Sequence, residues 1–331
     1  MNQKEIKKIR EFFAQTDADG ISNEIKANTR SREICRTKET NHNQSYEESL
    51  VEKKESEYPA GVVIENDKCI GLGIHILNED IYPLQQFRIF LRNCDLVGTL
   101  DLSECKDLKF LDLYHNKVTK IITKDMPMMR IFGVQDNELT SLDTTGLLAC
   151  QGIDAGRNHL RELDTSKNRE LVELYINDNE FEMVDLSANQ KLKYFYCHNN
   201  RITLLDVTAN PLLRHMDATG NPMREILAWA PQREERMPLN LIAGEGGAVG
   251  LKFNPIYNAQ WKETGEWQQS YHAYPKEGYQ FVAWQNADGT IFSTEENVVD
   301  TYGESRVLTA IFQKKVNYRE EEVGSCGCIY G

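Results

Sequence analysis

Asparagine recurs at a constant interval of 21 residues through the middle of this 331-residue chain. The members of the series are Asn116, Asn137, Asn158, Asn179, Asn200 and Asn221. A constant period of this length predicts a solenoid, because one short turn of chain cannot bury its own apolar edge and must stack on similar neighbours. The repeat therefore constrains the fold before any other feature is considered.

Each asparagine stands in the same apolar frame. The residues eight, five and three positions before it, and two positions after it, are apolar or cysteine in every turn, as Leu108, Leu111, Leu113 and Val118 show for Asn116. About ten residues are left for the return segment, too few for a long helix with its loops. We therefore predict a strand on one side of each turn and extended chain, tight turns or short 3₁₀ segments on the other.

The asparagine itself is polar but must face inward. Its amide can accept a hydrogen bond from one backbone N–H and donate to a backbone carbonyl, so a stacked column satisfies groups that the bend would leave unpaired. We interpret the column as structural and not as a ligand site. One turn earlier, Phe87, Phe90, Asp95 and Val97 keep the frame while Arg92 breaks it, which predicts an imperfect terminal turn.

With this frame, residues 69–230 resemble a leucine-rich-repeat array of the short bacterial type, related to internalin-like and Bacteroidetes surface repeats. The resemblance implies an α/β-type solenoid of mainly parallel strands with an extended or 3₁₀ convex side. It also implies a binding role and a place at the cell surface or outside the cell. It does not name a ligand.

A second resemblance covers one copy of a smaller unit. The strand-like segments after residue 239 contain Pro275, Gly278, Tyr279, Phe281 and Trp284 in the pattern Pro-x-x-Gly-Tyr-x-Phe-x-x-Trp, followed by Asp-Gly at 288–289 and Leu-Thr-Ala-x-Phe at 308–312. They resemble the internalin-type B-repeat, which implies a small β-rich, β-grasp-like module used as a spacer or adhesion unit.

The organisation that we predict has five parts. Residues 1–57 are charged and mostly disordered apart from a short helix that places Ile6, Ile9, Phe12 and Phe13 on one face. This helix either docks on the body or binds a partner. The remaining parts are an N-terminal cap with a hairpin around Asn66-Asp67 and the first turns (58–97), the repeats (98–238), the β-rich module (239–315) and a flexible tail (316–331).

Charge and cysteine usage bound the partners and the compartment. The net charge of -13 disfavours DNA and RNA, because nucleic-acid affinity comes largely from Lys and Arg. No apolar run is long enough to span a membrane, and the N-terminus lacks the apolar core of an export signal. Cysteines at repeat positions are read as buried thiols, which fits a reducing compartment. The compartment therefore stays open between the cell surface, as the resemblance implies, and the cytoplasm.

The candidate binding residues are those that alternate outward from the apolar slots, on the side that we call the concave face. Tyr175, Tyr194 and Tyr196 fall in neighbouring turns and should form an aromatic patch suited to a protein or a glycan. The alternative is that exposed strand tyrosines merely pair across the sheet. The full set of predicted ligand-binding residues is Phe110, Asp112, Tyr114, Asp154, Arg157, Glu173, Tyr175, Tyr194, Tyr196, His198, His215 and Asp217.

We predict no catalytic residue, no metal site and no cofactor. The histidines lack metal-ligand spacing, and Asp112 and Asp154 lie two turns apart, roughly 10 Å by strand spacing. The calcium-loop-like DADG at 17–20 has Lys26 where a glutamate is required. Cys328 stands fourth from the C-terminus and Cys326 precedes it, but the acidic residues upstream argue for a flexible tail over lipidation.

The sequence thus predicts a non-enzymatic protein that binds a protein or glycan on its concave face. Two alternatives stay open. The repeats could be a stiff spacer while the C-terminal module makes the contacts, or the chain could be an intracellular scaffold or effector. The sequence does not set the oligomeric state.

Overall fold

The computed structural model describes residues 3–23, 62–65, 68–72, 91, 93–103, 105–230, 237–257, 263–300 and 306–315. In chain order, its elements are α1 (Gln3–Ala14), β1 (Val62–Glu65), β2 (Lys68–Leu72), β3 (Val97–Asp101), β4 (Phe110–Asp112), β5 (Lys117–Ile122), β6 (Ile131–Gly133), β7 (Gly152–Asp154), β8 (Glu173–Tyr175), β9 (Tyr194–Tyr196), β10 (Leu204–Asp206), β11 (His215–Asp217), β12 (Glu225–Ala230), β13 (Met237–Ala243), β14 (Gly247–Tyr257), β15 (Glu263–Pro275), β16 (Tyr279–Asn286), β17 (Ile291–Ser293), β18 (Asn297–Asp300) and β19 (Arg306–Lys314). The predicted residues at 24–57, Phe87, Phe90, Arg92 and the tail at 316–331 lie outside these ranges.

The repeats stack one parallel strand per turn. Strands β4, β6, β7, β8, β9 and β11 pair in sequence, and each residue faces the one 21 positions later, as Leu111 faces Phe132. Residues 105–230 contain no helix, and their convex side consists of short strands and turns. The predicted leucine-rich-repeat solenoid of mainly parallel strands is therefore confirmed.

The asparagine column ties each turn to the preceding one. The Asn158 amide nitrogen donates to Val134 O at 3.0 Å and to Gly156 O at 3.0 Å, while its amide oxygen accepts from Leu139 N at 3.0 Å. The other five asparagines make equivalent bonds, and all six are at most 9% exposed. The column borders a continuous core of repeat side chains that includes the buried thiols of Cys105, Cys150 and Cys197.

A second amide column runs through the return segments and was not predicted. Asn168, Asn189 and Asn210 are also spaced by 21 residues and are buried. The Asn189 amide donates to Thr165 O at 3.1 Å and Asn168 O at 2.9 Å, and Asn210 repeats the arrangement one turn later. The same position holds Cys105, Met126 and Leu147 in earlier turns, so apolar packing replaces the amides there.

The Asp-x-Ser/Thr segments of the return side form local turns. The carboxylates of Asp143, Asp164, Asp185 and Asp206 each accept a hydrogen bond at 2.9 Å from the backbone N–H two residues later. Such Asx turns fix the bend at the convex corner without help from a neighbouring turn. These exposed aspartates therefore have a local role in shaping the coil.

The N-terminal helix closes one open end of the solenoid. Phe12 and Phe13 of α1 are buried in the common core, whereas the side chains of Ile6 and Ile9 lie outside the described part. The amide of Gln15 exchanges two hydrogen bonds with the backbone of Thr99, and the amide of Asn23 does the same with Val97. These amides pair with the backbone of β3 where another coil would otherwise stack. DADG at 17–20 is a turn closed by the Asp17 carboxylate.

The predicted hairpin near residue 66 is present as the antiparallel pair β1–β2, although Asn66 and Asp67 themselves are not among the described residues. Strand β2 pairs in parallel with β4, so the hairpin adds to the first repeat strand of the sheet. In the imperfect terminal turn, Asn116 donates to Leu91 O and accepts from Cys94 N and Leu96 N. The amide ladder thus continues into that turn, although the sequence separations between Asn116 and its partners differ from those in the regular turns.

Both sheets of the solenoid continue into the C-terminal module. Strand β14 pairs antiparallel with β11 and leads to β15 and β18, so the repeat sheet has eleven strands within the part of the chain that the structure describes. On the return side, β10 leads through β12 and β13 to β19, β16 and β17. The predicted boundary at 238/239 falls within β13. The described part of the module contains no helix, and its β-grasp-like character remains a prediction.

Replacing Asn158 by alanine tests the ladder. The substitution leaves buried Leu139 N–H and Val134 C=O groups without their partners, so we expect a loss of about 2–4 kcal/mol in the free energy of unfolding. Urea titration followed by circular dichroism measures it. Lys167→Ala, an exposed change in the same turn, should stay within about 0.5 kcal/mol of the parent. Equal stabilities for the two variants would contradict the structural role of the amide.

Truncation after Pro238 tests whether the module and the repeats are one folding unit. Loss of β14 exposes the edge of β11 and removes buried side chains such as Leu251 and Phe253, each worth about 1.5–3 kcal/mol. At about 2–4 °C per kcal/mol, the melting temperature should fall by roughly 10 °C or more. A chain truncated after Lys315 serves as the control. Two separate melting transitions in the full chain would show instead that the module folds independently.

Candidate ligand-binding face

The concave face presents three columns of side chains, because strand side chains alternate in direction and successive turns are in register. The first column is Phe110, Ile131, Gly152, Glu173, Tyr194 and His215. The second column is Asp112, Gly133, Asp154, Tyr175, Tyr196 and Asp217. The third column, just beyond the strands, is Tyr114, Gln135, Gly156, Asn177, His198 and Thr219.

Stacked rings form the centre of this face. The ring centroids of Tyr175 and Tyr196 lie 5.1 Å apart with their planes 20° from parallel, and those of Tyr194 and His215 lie 4.3 Å apart at the same angle. His198 meets Tyr196 edge-on at 6.5 Å. The structure thus places the three predicted tyrosines in ring contact with two of the predicted histidines, His198 and His215. We call these five residues the aromatic cluster.

The cluster is only partly accessible. All three tyrosines and His198 are half-buried, and His215 is buried. Burial, with the negative charge of Glu173 next, raises the pKa of Tyr175 above its usual value, so its hydroxyl stays protonated. Burial, with help from the charge of Arg214, lowers the pKa of His215 to about 4, so the imidazole is neutral at pH 7.

The predicted aspartates of the second column also form hydrogen bonds within their own turns. Asp112, Asp154 and Asp217 are buried, and each accepts a hydrogen bond from the backbone N–H two residues later. Asp217 is also bound by Lys252 of β14 at 2.8 Å. Burial alone would raise the pKa of Asp217, but the hydrogen bonds from Lys252 and Thr219 outweigh it and hold the pKa below the usual value.

The remaining predicted residues lie around the cluster. Phe110 and Tyr114 are half-buried in the first turn, Glu173 is buried beside Tyr194 in the first column, and Arg157 is exposed. Asp112 and Asp154 flank Gly133, which leaves a small hollow lined also by Tyr114, Ile131 and Gln135. The hollow and the aromatic cluster are neighbouring parts of one surface.

A further series of residues lies at the edge of the face, beside the third column. Only Arg157 among them was identified from the sequence. The residue before each ladder asparagine has a positive φ between 51° and 67°, in the series His115, Asp136, Arg157, Asp178, Asn199 and Gly220. Asn, Asp and Gly tolerate this conformation, which gives a sequence signal for the column. Asp178 accepts hydrogen bonds from Asn199 at 2.7 Å and Asn177 at 2.6 Å, and Arg157 lies 3.9 Å away.

The face also continues beyond the repeats. The Tyr274 hydroxyl of β15 accepts a hydrogen bond from Gly220 N at 3.2 Å, and the Tyr274 ring stacks on His272. Lys252, His272 and Tyr274 thus follow the last repeat on the same sheet. Their contribution depends on strand pairing between distant segments, which no repeat pattern indicates.

Other kinds of site were also sought in the described part of the chain. No group of three or more His, Cys, Asp or Glu side chains there could hold a metal ion. None of the helices described has the length and apolar character needed to cross a membrane.

No protein-family model matches the chain, and a comparison with curated proteins finds no significant relative. Among solved structures, the chain is similar to the internalin InlF of Listeria monocytogenes with a TM-score of 0.31 and 15% identity, over 37% of this chain and 44% of that one. A leucine-rich-repeat protein of Leptospira interrogans gives a TM-score of 0.28 and 16% identity, over 37% and 45%. The functional domain of InlJ from Listeria monocytogenes, which includes a cysteine ladder, gives 0.23 and 17%, over 73% and 60%. The chain therefore covers less than two thirds of the length of each.

His215 should make the stability of the chain depend on pH. Because its pKa is lowered to about 4 in the folded state, the unfolded chain gains a proton first as the pH falls below about 6.5. The folded state therefore loses stability between about pH 6.5 and 4. His215→Gln removes this component, so the stability difference between parent and variant should change over that range in urea titrations. His159→Gln, a substitution at an exposed histidine, is measured alongside it as the matched control.

Proposed function

We propose that this chain is a non-enzymatic binding protein that holds a protein or a glycan on its concave face. The observation that carries the proposal is the aromatic cluster, in which two stacked ring pairs lie on the outward side of the parallel sheet and the three tyrosines are half-buried. Tyrosine offers a large rigid contact area with a polar tip, which suits both protein hot spots and sugar recognition.

The arrangement of the face supports binding over a purely structural use of the tyrosines. The rings are not part of the hydrophobic core cluster that holds the coils together. Tyr175 and Tyr196 come from consecutive turns, as do Tyr194 and His215. Their rings therefore join the three neighbouring strands β8, β9 and β11 into one surface. A surface prepared in this way lowers the entropy lost when a ligand is bound.

A second candidate function follows from the C-terminal module. Its side chains Val282, Ile291 and Val307 are 41%, 57% and 42% exposed. Exposed apolar residues on a sheet favour contact with another protein. The module would then make the contacts while the solenoid serves as a stiff spacer.

Replacement of Tyr175, Tyr194 and Tyr196 together by alanine tests the proposal. The full chain is applied to arrays of proteins and glycans, and the affinity of each captured ligand is then measured by surface plasmon resonance. We expect at least about a 30-fold loss of affinity in the variant, since one hot-spot tyrosine is worth roughly 2 kcal/mol. Circular dichroism and a cooperative melting transition establish that the variant is folded.

Two matched variants give the controls. Replacement of Leu148, Met183 and Leu204 by alanine changes three exposed apolar residues outside the three columns and should leave the affinity unchanged. Replacement of Val282, Ile291 and Val307 by serine tests the module. Unchanged capture by the tyrosine variant would reject concave-face binding, and a loss confined to the module variant would favour the spacer.

A further inference from the structure

The aromatic cluster forms two ridges of stacked rings that run side by side. The rings of Tyr175 and Tyr196 stack in the second column, and those of Tyr194 and His215 stack in the first. Each pair joins consecutive turns, so both ridges follow the axis of the solenoid. Residues two positions apart on one strand are separated by about 6.8 Å, which sets the distance between the ridges. A narrow groove therefore lies between them.

The groove has a backbone floor and continues beyond the rings at one end. Leu174 and Phe195, which lie between the two columns on β8 and β9, are fully buried in the core. In the two turns before the ridges, Gly152 on β7 and Gly133 on β6 provide no side chain on one side of the groove. A small hollow beside Gly133 lies on the same path. The groove can thus be followed across the five strands from β6 to β11.

The stacking of the rings decides which ring surfaces a ligand can use. One face of each ring is covered by its partner, since the centroids lie 5.1 Å apart in one ridge and 4.3 Å apart in the other. A flat ligand such as a sugar or a nucleobase stacks on an open ring face. The groove instead presents the edges of the rings along both of its sides. This arrangement favours a narrow ligand that lies between the ridges.

The size of the groove limits the ligand to a short segment of chain. Five strands with a spacing of about 4.8 Å give the groove a length of roughly 19 Å. Each partner in a stable protein complex contributes about 800 Å² of surface, which is far more than a strip of this length and width offers. A second copy of this chain, with its flat sheets, would not enter the groove.

The spacing of the strands selects the conformation of the bound segment. A polyproline II helix advances about 9.3 Å in one turn of three residues. Alternate strands of the solenoid are about 9.6 Å apart, so every third residue of such a helix meets the same part of every second turn. A β-extended peptide repeats its side-chain direction after about 6.8 Å and falls out of step with the strands. Two turns of polyproline II, about six residues, span the groove.

Proline-rich chain also fits the chemistry of the ridges. Proline favours the polyproline II conformation before binding, which lowers the entropy lost in the complex, and its compact apolar ring packs between aromatic side chains. The carbonyl groups of this helix have no internal hydrogen bonds, so a tyrosine hydroxyl can donate to one. Burial, followed by the charge of Glu173, raises the pKa of Tyr175, so its hydroxyl keeps the proton at neutral pH.

The segment has to come from another protein. The nine prolines of this chain are nowhere closer than seven positions apart, so none of its own segments has the proline content that the groove fits.

We propose that the groove between the two ridges binds a proline-rich segment of a partner protein in the polyproline II conformation. This inference rests on the proposed function and names the class of its ligand. The segment runs along the axis of the solenoid, with proline rings between the ridges and a backbone carbonyl at the hydroxyl of Tyr175.

Labelled decaproline with blocked ends is the probe, and fluorescence anisotropy measures its binding to the full chain. A peptide of equal length in which glycine alternates with serine is the control for conformation, and we expect it to bind at least about tenfold more weakly. Tyr175→Phe keeps the ring but removes one hydrogen bond, so the affinity for decaproline should fall about three- to tenfold. Tyr279→Phe makes the same change on β16, outside the repeat sheet, and should lower it less than about twofold.

Tyr194→Ala is a second variant that removes a ring from the other ridge, and we expect at least about a tenfold loss. A cooperative melting transition establishes that each variant is folded. Equal binding of the two peptides, or equal effects of Tyr175→Phe and Tyr279→Phe, would overturn the inference. Binding of chitohexaose or maltohexaose without binding of decaproline would assign the groove to a glycan.

The failure of this inference can be distinguished from the failure of the proposed function. If the triple tyrosine variant loses a ligand captured from the arrays while decaproline does not bind the parent chain, the concave face is a binding face and only the proline-rich ligand is rejected. If decaproline binds and all three single variants leave its affinity unchanged, the groove is not its site.

Discussion

The hydrogen bonding of one buried amide per turn is the constraint on which the rest of the structure depends. The bend after each strand directs backbone groups toward the interior, where an unpaired N–H or C=O is costly. Each ladder asparagine pairs with a carbonyl and an N–H of the preceding turn, as Asn179 does with Ala155 and Leu160. This fixes the separation of the turns and the register of the strands. The columns of the concave face exist because that register does not drift.

The sequence predicted the features that repeat and missed those that depend on distant segments. The amide ladder and the core could be predicted because the same pattern of residues recurs in every turn. The second amide column, formed by Asn168, Asn189 and Asn210, could also have been predicted. It was missed because the three preceding turns have apolar residues at the same position. The pairing of Gln15 and Asn23 with β3 was not readable, since it joins residues more than 70 positions apart. The tyrosine patch was predicted from the register of the repeats alone. That Asp112 and Asp217 accept backbone hydrogen bonds at the strand ends could be seen only in the structure.

Closing the two ends of a solenoid is a different problem from stacking its turns, and this chain solves it in two ways. At the first end, side-chain amides from the segment after α1 pair with the backbone of β3. At the other end, β14 adds to β11 and β12 adds to β10, so a further module takes the place of the next turn. An unpaired strand edge would invite association with other chains, and both solutions reduce it. The second solution also brings Lys252 and Tyr274 onto the concave face, so the end cap contributes to the candidate site.

The division of each repeat strand into two sides allows the concave face to vary without changing the coil. The core lies on one side of the strands, and the core and the two amide columns hold the turns together. On the concave side, Asp112, Asp154 and Asp217 each accept a hydrogen bond from the backbone N–H two residues later, a bond within one turn that leaves the register of the strands to the ladder. The outward residues can therefore differ from turn to turn, as Phe110, Gly152 and Tyr194 do in the first column, while the coil keeps its shape. A surface that varies on a constant scaffold is what a repeat fold offers for recognition.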